Sequence, residues 1–144
     1  KKKKNKFLKL GEEKIEIKNR AYKKKQTFKY ITLPGYKKNI FKYINSSEGL
    51  ICSSLWEEPG FVIQEAAACK KIILASNCYT GPAEFLDYGK NGYIFKSNNE
   101  NSFIKNFNKL LNKKNEHQNK ILKNFKKTNY YTQNFFLSEM NKIL

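Results

Sequence analysis

With 144 residues, 40% of them hydrophobic and 15% aromatic, the chain has room for one domain with a real core and none for a second full domain. A formal net charge of +17 invites a nucleic-acid partner, but Arg20 is the only guanidinium among 29 basic side chains, and readers of phosphate and base edges draw on arginine's bidentate fork. No nucleic acid is expected, and the lysines read mainly as a solvated surface in an Asn-, Ile-, Phe- and Tyr-rich composition of the kind an AT-rich genome produces; peripheral contact with an anionic membrane leaflet is the weaker alternative.

Lys1 to Lys6 is a charge run leading into a strand candidate at Phe7 to Leu10. Gly11 to Lys25 is polar and lysine-rich, with Ile15, Ile17 and Tyr22 as sparse apolar points, and is a helix candidate. Thr27 to Leu33 alternates β-favouring residues and stops at Pro34-Gly35, which predicts a strand and a turn. Ile40, Phe41, Tyr43 and Ile44 fall at helical spacing within Asn39 to Ser46, and Gly49 to Ser53 is a short apolar run of the kind buried in parallel sheets.

Phe61 to Cys69 is expected to be helical, Ile72 to Ser76 a buried strand, Asn77 to Pro82 a turn and Ala83 to Leu86 one turn of helix. Gly89-Lys90-Asn91-Gly92 signals a turn before the short strand Tyr93 to Phe95. Three helices are expected beyond it, over Ser102 to Leu111, Glu116 to Lys126 and Thr132 to Leu144, with Tyr130, Tyr131, Phe135 and Phe136 packing the last one back across the domain. Strands alternating with helices at this spacing imply an α/β fold: an open parallel sheet flanked by helices, with its ligand crevice outside the carboxyl ends of the strands.

The residues that carry chemistry lie between Ser53 and Glu65, where Glu57 and Glu65 flank a Pro59-Gly60 turn. A strand, a loop and a helix beginning near Gly60 would aim the backbone amides of Gly60, Phe61 and Val62 at an anion such as a diphosphate. Glu65 has two acceptor oxygens for a cis-diol, and Glu57 can hydrogen-bond a sugar or steady positive charge developing at its anomeric carbon. Taken alone, two glutamates near a helix start also fit a plain role in complementing its dipole.

Other chemistries lack their parts. Cys52, Cys69 and Cys78 have no C-x-x-C spacing and read as reduced thiols in or near the core of a cytosolic protein. The lone histidine, His117, reads as a surface residue and leaves zinc sites and histidine triads unsupported. No run approaches the ~20 apolar residues of a membrane span, and no signal peptide is expected.

From Leu50 to Phe95 the ordered set Ser54, Glu57 with Glu65, Ala66 to Ala68, Ile72 to Ser76, Gly81-Pro82-Ala83-Glu84 and Gly89-Lys90-Asn91-Gly92 resembles the nucleotide-sugar-binding half of retaining glycosyltransferases of family 4. Upstream, Ile31 to Gly35 and Tyr36 to Ser47 extend the likeness, which covers about residues 28 to 112. The resemblance implies one Rossmann-like half of the two-domain GT-B architecture. It assigns Glu65 to the ribose, Glu57 to the donor sugar as the catalytic carboxylate, Pro59, Gly60, Phe61 and Val62 to the phosphates, and Gly35 to the nucleobase; Glu84 is as readily a structural cap on its turn.

The resemblance also implies a UDP- or GDP-linked donor as substrate, no cofactor, no metal, and a glycan or lipid-linked acceptor at the cytoplasmic side of the membrane. Metal independence has support in the sequence, because Asp87 is the only aspartate and an Asp-x-Asp pair cannot form. A GT-B sugar-nucleotide epimerase or a glycogen-synthase-like enzyme shares this half. Two departures stand out. Lys70 and Ile72 replace the family's usual Gly and Pro at a helix end, a loss of about 1 kcal/mol, and the Arg/Lys pair that neutralises the diphosphate falls upstream of Lys1. Residues 1–144 are therefore expected to be a donor-binding domain lacking its acceptor domain, and inactive alone.

Overall fold

The computed structural model describes residues 7–10, 31–57, 60–132, 137–138 and 140–142, which fall in two compact units, Lys1–Ile40 and Phe41–Leu144. In the first unit β1 (Phe7–Leu10) runs parallel to β2 (Ile31–Gly35). The strand continues through Pro34 to Gly35, beyond the end expected at Leu33. The register explains this: it shifts between Leu8↔Thr32 and Leu10↔Gly35, so Pro34 falls in the irregularity, where its missing N–H breaks no ladder bond. The helix candidate at Gly11 to Lys25 lies outside the described residues.

The second unit contains α1 (Phe41–Ser46), β3 (Gly49–Cys52), α2 (Phe61–Ala68), β4 (Ile72–Ser76), α3 (Pro82–Phe85), a 3-10 turn at Asp87–Gly89, β5 (Tyr93–Phe95), α4 (Glu100–Asn112), α5 (Lys114–Lys127) and a second 3-10 turn at Thr128–Tyr131. Strands β3, β4 and β5 form an open parallel sheet in that order, with β4 in the centre. Every residue of β4 is buried, as its Ile-Ile-Leu-Ala-Ser sequence requires of a strand covered on both faces. On one face Ile72 and Leu74 join Tyr93 and Phe95, against which Phe103 and Phe107 of α4 and Ile121 of α5 pack. Phe103 meets Phe95 edge-on at 5.1 Å, and each large side chain buried here contributes about 1.5–3 kcal/mol.

Two glycines set the spacing of this sheet. A Cβ at Gly49 would lie 2.7 Å from the Ile72 carbonyl oxygen, and one at Gly92 would lie 2.8 Å from Leu86. Gly92 thus serves close packing in addition to ending the turn its motif suggested, which lies directly before β5. Helix α4 starts at Glu100, two residues before the expected Ser102, because the Asn99 side chain accepts the Ser102 amide at 2.8 Å and caps the first turn.

Several lysines do more than coat a surface. Lys71 donates to the Asn45 carbonyl at 2.8 Å, and Lys127 to the carbonyls of Glu84 and Phe85 at 2.9 and 3.0 Å, closing the end of α3 from the far end of α5. Lys70 lies 4.6 Å above the Phe125 ring. The expected last helix falls largely outside the described residues, as do Phe135 and Phe136, while Tyr130 is exposed. Among the described residues no helix is long and apolar enough to cross a membrane.

Candidate functional site

The carboxyl ends of β3 and β4 are tied to each other beyond the last rungs of their ladder. The Ser76 hydroxyl donates to the Ser54 carbonyl at 2.5 Å, and an isolated parallel bridge joins Trp56 to Tyr79. Ser54, so fixed, donates its own hydroxyl to Glu57 Oε1 at 2.5 Å. The Cys52 thiol lies 3.6 Å from both Ser54 Oγ and Glu57 Oε1. Burial pushes that thiol's pKa up; bonds to Ser54 lower it and the Glu57 charge adds to the rise, so Cys52 acts as a protonated donor and not as a nucleophile.

The loop is also held from the β4 side. Thr80 Oγ1 lies 2.7 Å from the Glu57 carbonyl oxygen and 2.7 Å from that of Tyr79, while its backbone sits at a φ of 64°. A β-branched residue in that region is strained, and the hydroxyl bond to the Glu57 loop compensates. Glu57 is thereby fixed through one carboxylate oxygen and through its backbone. Oε2 takes no hydrogen bond among the described residues and lies 3.9 Å from where a Gly60 Cβ would stand.

Gly60 precedes α2 with φ 73° and ψ 51°, and no side chain caps the helix. Its left-handed backbone, not the space around it, demands glycine, since a Cβ there would touch nothing closer than 3.6 Å. The Ile63 amide is taken by the Gly60 carbonyl at 2.9 Å, and the preceding amides of Phe61 and Val62 have no acceptor within the helix. The positive end of α2 thus lies beside the Glu57 loop, with Glu57 Oε2 3.9 Å from where a Gly60 Cβ would stand. Ile63, Ala66 and Ala67 face the sheet, which leaves Phe61 and Glu65, four residues apart, on the outward side. Side chains lean toward the N-terminus of their helix, so Glu65 leans toward the same mouth, and its carboxylate makes no hydrogen bond or ion pair among the described residues.

Five of the expected site residues, Glu57, Gly60, Phe61, Val62 and Glu65, therefore gather at the carboxyl end of β3. Pro59 lies outside the described residues. Gly35 closes β2 in the other unit, at a φ of 71° with open space where a Cβ would be. Glu84 is exposed in the first turn of α3. The supports carry no local signal: Cys52 and Ser76 read as ordinary strand residues, and Thr80 as part of a turn. Trp56 and Tyr79, 64% and 73% exposed with ring centroids 5.7 Å apart, form an apolar rim beside Glu57.

Residues 2–128 match the model of a family described as glycosyl transferases group 1. Among solved structures, a glycosyltransferase from Rickettsia africae ESF-5 is similar at a TM-score of 0.80 and 20% identity, over 97% of this chain and 39% of its own. A mutant of S. aureus TarM, in complex with fondaparinux, alpha-GlcNAc-glycerol and UDP, is similar at 0.78 and 21%, over 94% of this chain and 28% of its own. Anabaena HepE, in complex with UDP and glucose, is similar at 0.76 and 16%, over 96% and 41%. At these identities the likeness is one of fold, and this chain spans well under half the length of each structure. No curated protein matches.

Proposed function

The chain belongs to the glycosyl transferases group 1 family, and on that premise we propose that residues 49–131 hold the donor of a sugar-transfer reaction. The observation that carries this reading is the state of Glu57: one oxygen is pinned by Ser54, and the other, beside the start of α2, takes no hydrogen bond among the described residues. A nucleotide diphosphate sugar fits that arrangement. Its diphosphate would lie on the Phe61 and Val62 amides, where fixed N–H dipoles stabilise the charge that builds up as the glycosidic bond breaks. Its ribose diol would bond the two oxygens of Glu65, and its sugar would meet Oε2 of Glu57, positioned to favour positive charge at the anomeric carbon. UDP in the structures of TarM and HepE supports a uridine donor, with GDP as the other base to test.

The complete reaction would move the sugar to a glycan or lipid-linked acceptor with retention of configuration, and the acceptor would be bound outside the donor half. No metal is assigned a role, because the sole aspartate, Asp87, sits on the 3-10 turn after α3, 3.6 Å from Lys90. Calorimetry of the chain with UDP and with GDP tests the donor site. One of them binds, and Glu65→Ala weakens it at least about tenfold, equivalent to about 1.4 kcal/mol. Binding to oligonucleotides alone, with a steep salt dependence, would overturn the reading in favour of a basic nucleic-acid module.

A further inference from the structure

A second concavity lies at the other end of the same sheet. The three strands are parallel, so the amino end of β5 is turned away from the carboxyl ends that carry Ser54 and Glu57. There the start of β5, the turn before it, the last turn of α4 and the first turns of α5 enclose about 400 Å³, a volume within the small-molecule range. Lys90, Lys109, Lys113 and Lys120 line it with a single carboxylate, Glu116.

Two of these cations are already matched. Lys113 meets Glu116 at 2.7 Å, and Lys90 meets Asp87 at 3.6 Å. Lys109 has no partner among the described residues. Lys120 gives two of its three N–H bonds to the carbonyls of Gly89 and Lys90, at 3.2 and 2.8 Å, and keeps one. Tyr93, only 6% exposed, also lines the cavity, and its buried hydroxyl has no hydrogen-bond partner among the described residues. A buried hydroxyl with no partner among the described residues, beside the unmatched Lys109 ammonium and a Lys120 ammonium that meets only neutral carbonyls, the Tyr93 ring face at 5.4 Å and the field of Glu116, which Lys113 already engages, is an unfinished polar network, and a ligand of the right charge completes it.

We propose that this cavity binds a phosphomonoester, whose dianion is matched by Lys109 and Lys120 while one phosphate oxygen accepts the Tyr93 hydroxyl proton. A carboxylate would leave one ammonium unmatched, whereas a phosphate at neutral pH carries about −1.5 to −2. Burial also pulls the Lys120 ammonium pKa down, and a bound dianion reverses that cost. Nothing in the donor-site reading uses these residues, so the proposal stands independently of it.

Calorimetry with glycerol phosphate and with inorganic phosphate, in parallel with flotation on phosphatidylcholine vesicles with and without phosphatidic acid, tests the assignment. Wild type binds at least one phosphomonoester source, Lys109→Glu weakens binding about tenfold or more, and Tyr93→Phe, which keeps the ring packing, weakens it a few-fold, with UDP or GDP binding unchanged in both. Capture by glycerol phosphate identifies a soluble ligand, and capture by phosphatidic acid vesicles a lipid headgroup. Absence of phosphate binding, binding insensitive to both variants, or binding to oligonucleotides alone would overturn the proposal.

Discussion

Lys70 shows how a residue in an unfavourable conformation is kept. It follows α2 with a φ of 55°, its amide bonding the Ala67 carbonyl and the next amide, of Lys71, the Ala66 carbonyl, each at 2.9 Å; together these make a Schellman close. Left-handed backbone costs a lysine about 1 kcal/mol or more relative to glycine, and the contact with the Phe125 ring returns about 0.5–1 kcal/mol. The two terms separate by substitution. Lys70→Ala keeps the strain and loses the ring contact, so Lys70→Gly should be the more stable of the pair by about 1 kcal/mol in chemical denaturation. At the site, Ser54→Ala removes the hydroxyl that pins Glu57 Oε1. If the proposed donor half works with an acceptor domain, turnover of the two together should fall while UDP affinity holds, and an equal loss of both would assign Ser54 to binding.

At the scale of elements, the sheet depends on how closely β3 and β4 approach. Gly49→Ala forces a methyl to 2.7 Å from a backbone carbonyl that the ladder itself holds in place, so it should destabilise the chain by about 1–3 kcal/mol in urea. Apolar runs announced these strands: Gly49–Cys52, Ile72–Ser76 and Tyr93–Phe95 lie where continuous hydrophobicity placed them. Element ends were less legible, because they depend on single side-chain bonds. Asn99 moves the start of α4, and the register shift opposite Pro34 extends β2. The paired glutamates and the glycine before α2 could be read from their spacing. Their supports could not, since Ser76 and Thr80 reach Ser54 and Glu57 across more than 20 residues of chain, a distance no local pattern encodes.

At the scale of the whole molecule, composition tells what is abundant but not how single residues are used. The lysines read mainly as a solvated surface, and within it Lys71, Lys120 and Lys127 each satisfy carbonyls of distant elements. The one histidine is not a surface residue: His117 is half-buried, edge-on to Tyr93 at 5.8 Å, with its Nε2 buried and without a partner among the described residues. Burial lowers its pKa, the nearby Lys114 and Lys120 charges add to this, and a bond to the Leu110 backbone and the Glu116 charge oppose it. The unfolded chain then takes up the proton first as pH falls, so the stability tied to neutral His117 is complete above about 6.5 and is lost below it. Thermal unfolding of wild type should drop more steeply than that of His117→Gln between neutral pH and the folded-state pKa, and parallel curves would refute this.

Trp56 is the sole tryptophan, and it stands on the exposed rim one residue from Glu57, bridged to Tyr79. All indole emission from this chain therefore originates at one place, the mouth of the candidate donor site. The molecule has its own optical gauge, and a change in its emission on adding a nucleotide reports events at that mouth and nowhere else.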